Sequence, residues 1–182
     1  MHRRSLSSHE SLEAQSVFGA SIAYDRVAII EEIAWPNWVG RIGSWFSRTE
    51  APENNAVTLG NRLYFPKRLS TDNPDDPAGS LADMAWLIHE LTHVWQYQHF
   101  GIAYLPQGIW AHLRYGPETY NYGFEQGLTR AFAGGDQLEN FNREQQGEIA
   151  RDYYYRLKQG KDVSAWEPFI SEFQASTSPT SM

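Results

Sequence analysis

Two stretches of the chain carry a helical alternation of apolar and polar positions strong enough to organise the rest. In the first, Trp86, Leu87, Ile88, Leu91, Val94 and Trp95 recur at spacings that give a broad apolar helix face, which predicts a largely buried helix. Its start is read at Ser80-Leu81-Ala82-Asp83, a Ser N-cap with an acid at the third helical position, and its end near Gly101. The second helix opens at Asn142-Arg143-Glu144-Gln145, runs through Leu157 and stops at Gly160. Between and before them the pattern is shorter. Residues 11–23 read as a short helix, residues 26–33 as a β-rich segment with Val27, Ile29 and Ile30, and residues 39–46 and 109–113 as further turns of helix. Residues 57–65 give two β-rich runs about Gly60-Asn61, the pattern of a β-hairpin. The Asp-, Pro- and Asn-rich stretch 70–79 reads as a surface loop, and Trp166 to Phe169 as a clasp on the core.

These elements predict an α+β fold: a small sheet including the hairpin, packed beside the first helix, with the second helix crossing it. The 182 residues fit one domain, taken as residues 1–174, with a flexible lead-in at 1–10 and a disordered Ser/Thr-rich tail at 175–182. A formal charge of -7 leaves no clustered Lys and Arg to displace counterions from phosphates, so nucleic acid is not an expected partner. No apolar run approaches the roughly 18 residues needed to span a bilayer, so no membrane partner is expected either. The polar stretch after Arg3-Arg4 is no signal peptide, which places the chain in the cytoplasm as synthesised and leaves a signal-independent route for any export. Without cysteine, any metal must be held by His, Asp or Glu.

The first helix carries such residues. In His89-Glu90-Leu91-Thr92-His93 the two histidines are four apart and so lie on one face, one turn apart, where both imidazoles can reach a single Zn²⁺. Glu90 falls beside them, placed to take a proton from water and return it to a leaving amine. A set of two imidazoles and a carboxylate inside an apolar helix is costly to bury without a common partner.

A catalytic zinc normally has three protein ligands. His99 has the spacing of an HExxHxxGxxH site, but Gln96 stands where that pattern has its helix-breaking glycine. A continued helix would carry His99 about 15 Å along the axis from His89. Glu144, Glu148 and Asp152, spaced by four on the second helix, form an acidic stripe whose mutual repulsion a cation would relieve. Two registers fit: Glu144 as ligand with Glu148 behind it, or Glu148 as ligand with Asp152 behind it. His112, Tyr120 and Tyr122 could donate to an oxyanion, but nothing in their spacing assigns them that role.

The segments WLIHELTHVWQYQ at 86–98, EQQG at 144–147 and the block at 153–157 resemble a bacterial family of zincin-like proteins often labelled Vgr- or Rhs-related. HELTHV and its following Gln are also similar to the metallopeptidase domain found with contractile injection systems. The likeness spans roughly residues 57–169. It implies a zincin-like fold, a gluzincin-type site with Glu144 as third ligand, and a possible place in a secretion system. The function expected is zinc-dependent hydrolysis of peptide bonds in a peptide or protein substrate. The rivals are a metal-bound assembly protein with little turnover and a cell-wall peptide amidase. A substrate strand would pair with an exposed sheet edge, for which Arg62-Leu63-Tyr64-Phe65 is the expected ledge.

Overall fold

The computed structural model of the chain describes residues 1–33, 56–101 and 119–176. The expected helical turns at 39–46 and 109–113, together with His112, lie outside these residues.

The chain begins in the sheet. Strand β1 (His2–Ser5) pairs antiparallel with β2 (Ala28–Glu31), so the expected flexible lead-in is instead an edge strand followed directly by a helix. That helix, α1 (Ser8–Phe18), starts three residues before the expected 11–23 segment. Ser7 accepts from the Glu10 backbone N–H, and the Glu10 carboxylate accepts from the Ser7 N–H in return. The hairpin forms as read: β3 (Val57–Leu59) and β4 (Arg62–Tyr64) pair antiparallel, and Gly60 takes the positive φ of 63° that the turn requires. Strand β4 then pairs parallel with β2, giving the order β1-β2-β4-β3 among the described residues. The expected ledge at β4 is therefore incorrect. Its backbone is bonded on both sides, and the outer strand beside it is β3, residues 57–59. A strand's neighbours across a crossover are not written in its local pattern, which is why the register of edge and interior escaped the sequence.

Helix α2 (Pro77–Phe100) is the spine of the molecule. It starts earlier than Ser80: Asp76 caps it by accepting from the Gly79 N–H, and Pro77 occupies the first turn, where its missing N–H costs nothing. Ser80 lies inside the helix and accepts from the Asn73 N–H in the preceding loop. The helix ends at Gly101, as its sequence indicates. Leu87, Ile88, Leu91 and Val94 are fully buried, each contributing about 1.5–3 kcal/mol relative to exposure. Buried surface of that size makes α2 a rigid base for whatever its other positions carry.

Helix α3 (Phe124–Ala133) precedes α4 (Arg143–Lys158), and α5 (Glu167–Ala175) closes the described chain. Asn142 caps α4 by accepting from the Glu144 and Gln145 N–H groups, and the Gln145 side chain bonds back to the Asn142 N–H. Helix α4 packs along α2, while α2 also touches β3 and β4, so α2 lies between the sheet and α4. Phe169 and Phe173 of α5 are fully buried, as a clasp requires, and α5 extends to Ala175, into the region expected as tail. The architecture is α+β with a small sheet.

Candidate metal centre

The α2–α4 contact brings His89, His93 and Glu144 together. One ligand atom from each lies within 4.8 Å of the others, close enough for a single metal ion. Glu144 Oε2 is 3.4 Å from His89 Nε2 and 3.6 Å from His93 Nε2. The i, i+4 spacing on α2 stacks the two imidazoles one turn apart, with ring centroids separated by 5.1 Å. Glu144 arrives from the first turn of α4, where its carboxylate also suits the positive end of the helix dipole.

Of the two registers open in the sequence, the geometry brings Glu144 to both histidines and sets Glu148 behind one of them. Glu148 Oε1 lies 3.0 Å from His89 Nδ1, on the ring edge opposite Glu144, as an ion-pair contact rather than an aligned hydrogen bond. Arg151 pairs with the other Glu148 oxygen. Asp152 is elsewhere: it accepts from the Tyr122 hydroxyl at 2.6 Å, and that hydroxyl accepts from the Trp166 indole N–H at 3.2 Å. Asp152 thus ties α4 to the residues before α5, and Tyr122 is accounted for by packing. His99 does not join the group; its ring stacks on Trp95, and its Nδ1 sits 2.8 Å from the Trp95 carbonyl oxygen.

Glu90 is buried beside the histidines and accepts from the Thr58 hydroxyl at 2.6 Å. Thr58 belongs to β3, so the outer strand orients the carboxylate that follows the first histidine. The sequence offers no sign of this contact, because it depends on how the sheet meets α2.

Two more features sit at the site without having been read from the sequence. Gly147 lies against the flat of the His89 ring: a Cβ built there would be 2.7 Å from His89 Cε1 and 2.9 Å from Nδ1. Only a glycine permits that approach. A glycine in mid-helix, costly by about 1 kcal/mol against alanine, was the available signal. The second is Gln96, fully buried, whose Oε1 is 2.9 Å from His93 Nδ1. Each histidine therefore has one ring nitrogen facing Glu144 and the other held by a side chain of its own.

The electrostatics are those of a pocket built for positive charge. Burial works against the charged form of His89, but the carboxylates of Glu144, Glu148 and Glu90 outweigh it and raise the ring to about 10. His93 is raised in the same way, burial being overcome chiefly by the charge of Glu144. Glu144 is the reciprocal case: burial would raise it, yet the two imidazoles hold it well below the usual carboxylate range. Protons on the rings satisfy this field, and so would a divalent cation in their place. The donor set of two imidazoles and one carboxylate, with both far ring nitrogens held, fits a metal ion on chemical grounds.

No family model matches the chain. It is homologous to part of the type VI secretion system spike protein VgrG2b of Pseudomonas aeruginosa, with 34% identity over 164 residues, covering 89% of this chain and 14% of that protein. The chain thus corresponds to a small fraction of that relative's length. Among solved structures it is similar to the effector domain of Pseudomonas aeruginosa VgrG2b, with a TM-score of 0.51 and 27% identity, covering 93% of this chain and 81% of that one. The Vgr-related likeness read from residues 57–169 therefore extends over most of the chain, to the effector domain of a secretion-system protein.

Proposed function

We propose that the chain is a zincin-type zinc peptidase, acting as the effector part of a type VI-like secretion apparatus. The observation that carries this reading is the meeting of His89, His93 and Glu144 at one point, with Glu90 buried beside the same two rings. The group His₂Glu is the donor set of a three-ligand catalytic zinc site, which keeps a fourth position open. A bound Zn²⁺ there supplies Lewis acidity, polarising a carbonyl and easing deprotonation of water near neutral pH. The remaining steps belong to the protein. Glu90, held in place by Thr58, accepts the proton of the attacking water and passes it to the departing amine as the peptide bond breaks. Glu148 and Gln96 hold the two rings so that neither turns as charge changes at the centre.

The test is substitution of Glu90 with metal content and hydrolysis read together. Purified protein should bind close to one Zn²⁺ per chain. Glu90→Gln should keep it while hydrolysis of an unfolded protein substrate falls by about 10²–10⁴-fold, the usual share of general acid–base catalysis. Failure of the wild-type protein to bind zinc would sink the reading. The relationship to a spike protein favours a second reading, a metal-bound assembly part of such an apparatus. In that case Glu90→Gln leaves secretion and assembly unchanged, and the wild type shows no turnover to lose.

A further inference from the structure

A neutral imidazole carries its proton on either nitrogen, and a metal ion can use only the one that lacks it. Resting on the metal-site reading above, the geometry points to how this choice is made for His93. We propose that Gln96 and Gln146 form a two-amide relay that fixes His93 with its proton on Nδ1, leaving the Nε2 lone pair for the metal. Both are positioning residues, and the relay takes its direction from backbone carbonyls outside the site.

Gln146 Nε2 donates to the oxygens of Leu138 and Phe141, both at 3.0 Å. Carbonyl oxygens accept only, so the nitrogen end of the Gln146 amide is fixed toward them and its oxygen is turned the other way. There Oε1 meets donors: Gln96 Nε2 at 2.9 Å and Arg143 Nη1 at 3.5 Å. Gln96 Nε2 also donates to the Arg143 carbonyl at 3.0 Å, so both of its amide protons are used. The oxygen of Gln96 is then the end that faces His93, 2.9 Å from Nδ1. An oxygen at that distance accepts, which requires the proton on Nδ1. Reversing either amide would set N–H against N–H or oxygen against oxygen among groups that are buried almost completely.

The two histidines are thereby held by different means. His89 has a carboxylate, Glu148, itself paired with Arg151. His93 has a neutral amide whose orientation is dictated over two residues. A carboxylate at position 96 could still accept from His93 but would lose both donations, to Arg143 O and Gln146 Oε1. Position 96 therefore suits Gln and not Glu, although acids commonly hold metal-bound histidines.

The experiment uses the whole chain with Zn²⁺ as probe. In ¹⁵N-labelled, zinc-loaded wild type, long-range ¹H–¹⁵N spectra should show His93 protonated at Nδ1; protonation at Nε2 overturns the relay without reference to any variant. Zinc competition titrations then compare Gln146→Met and Gln96→Glu with wild type. The side-chain hydrogen bonds of Gln146 go to Gln96, Arg143, Leu138 and Phe141 and not to His89, His93 or Glu144, and Met is close to Gln in size and shape. A packing role would leave Gln146→Met binding zinc like wild type, with the same His93 spectrum, and that result overturns the proposal while the metal site stands. The relay predicts weakening by about 10–100-fold in Gln146→Met, the usual cost of losing outer support for a ligand. It predicts a similar loss in Gln96→Glu. Wild-type protein that takes up no zinc overturns the metal-site reading, and the relay with it.

Discussion

At the scale of single residues, the site depends on what is missing from Gly147 as much as on what its ligands present. In an exposed helix interior, replacing glycine by alanine gains about 1 kcal/mol. Here the added methyl would sit 2.7 Å from the His89 ring, so ring or helix must move. Overpacking of this kind costs about 1–3 kcal/mol, which outweighs the propensity gain. Gly147→Ala should therefore lower stability in urea melts and weaken zinc binding; a variant more stable than wild type with unchanged zinc affinity would show that the α2–α4 contact tolerates a side chain. Thr58 gives a prediction of the opposite kind. Its hydroxyl bonds Glu90 but none of the ligand group, and a hydrogen bond to a charged group is worth about 1.5–3 kcal/mol. Thr58→Val should retain zinc and lose turnover by about 10-fold or more, read as zinc content against kcat. Equal kcat in the two proteins would detach Thr58 from the work of Glu90. His89, Glu90 and His93 were legible from sequence because their relation is set by one helix turn. Thr58 was not, since its contact is decided only when β3 reaches α2, and Gln96, one turn from His93 on α2 itself, takes the orientation of its amide from α4.

At the scale of elements, one long helix opened at the cap its sequence indicates and the other opened earlier. Asn142 with Gln145 three residues on marks the start of α4, and the structure has both halves of that box. For α2 the Ser80-to-Asp83 pattern set the start four residues too late, because the Asp/Pro/Asn-rich stretch read as loop holds the N-cap, Asp76, and the first-turn proline, Pro77. Ser80 serves the loop instead, through its contacts with Asn73. The start of α4 also carries a long-range tie: Asn142 Nδ2 donates to the Thr119 carbonyl at 2.9 Å, and Gln145 Nε2 to the Asn121 carbonyl at 2.7 Å. The cap therefore anchors the segment after residue 118 as well as the helix that brings Glu144 to the histidines. Asn142→Ala should cost about 0.5–2 kcal/mol, the range for loss of an N-cap. Asn142→Asp keeps the cap acceptor and loses only the donation to Thr119, so chemical denaturation should rank it between alanine and wild type. If Asp and Ala variants are equally destabilised, the tie to Thr119 matters more than the cap.

At the scale of the whole molecule, the sheet and α1 are fastened by a cluster that shares no residue with the metal centre. Arg4 of β1 reaches Glu10 of α1 at 2.6 and 2.9 Å and Glu31 of β2 at 2.9 and 3.1 Å, while Thr71 and the Leu69 N–H bring the approach to α2 into the same cluster. Both carboxylates are almost completely buried, and one guanidinium serves the two. The first strand is thus a structural member. Removing the Arg4 charge would leave Glu10 buried without its cation and Glu31 facing only the half-exposed His2 ring at 3.5 Å, a loss of about 3–5 kcal/mol at neutral pH. The pH dependence follows from Glu10. Burial would raise its pKa, but Arg4, the Ser7 N–H and Thr71 together bring it below the ordinary 4.5. The unfolded chain therefore binds this proton first as pH falls, and the stabilisation, complete above about 4.5, is lost as pH drops through the lower folded value. In Arg4→Met the counter-charge is gone, burial dominates, and acid relieves the strain instead of creating it. Urea unfolding from pH 7 down to about pH 3 should show the largest gap between wild type and Arg4→Met at neutral pH and a progressively smaller one in acid. A gap that stays constant across that range would mean the cluster stabilises the fold by packing rather than by charge.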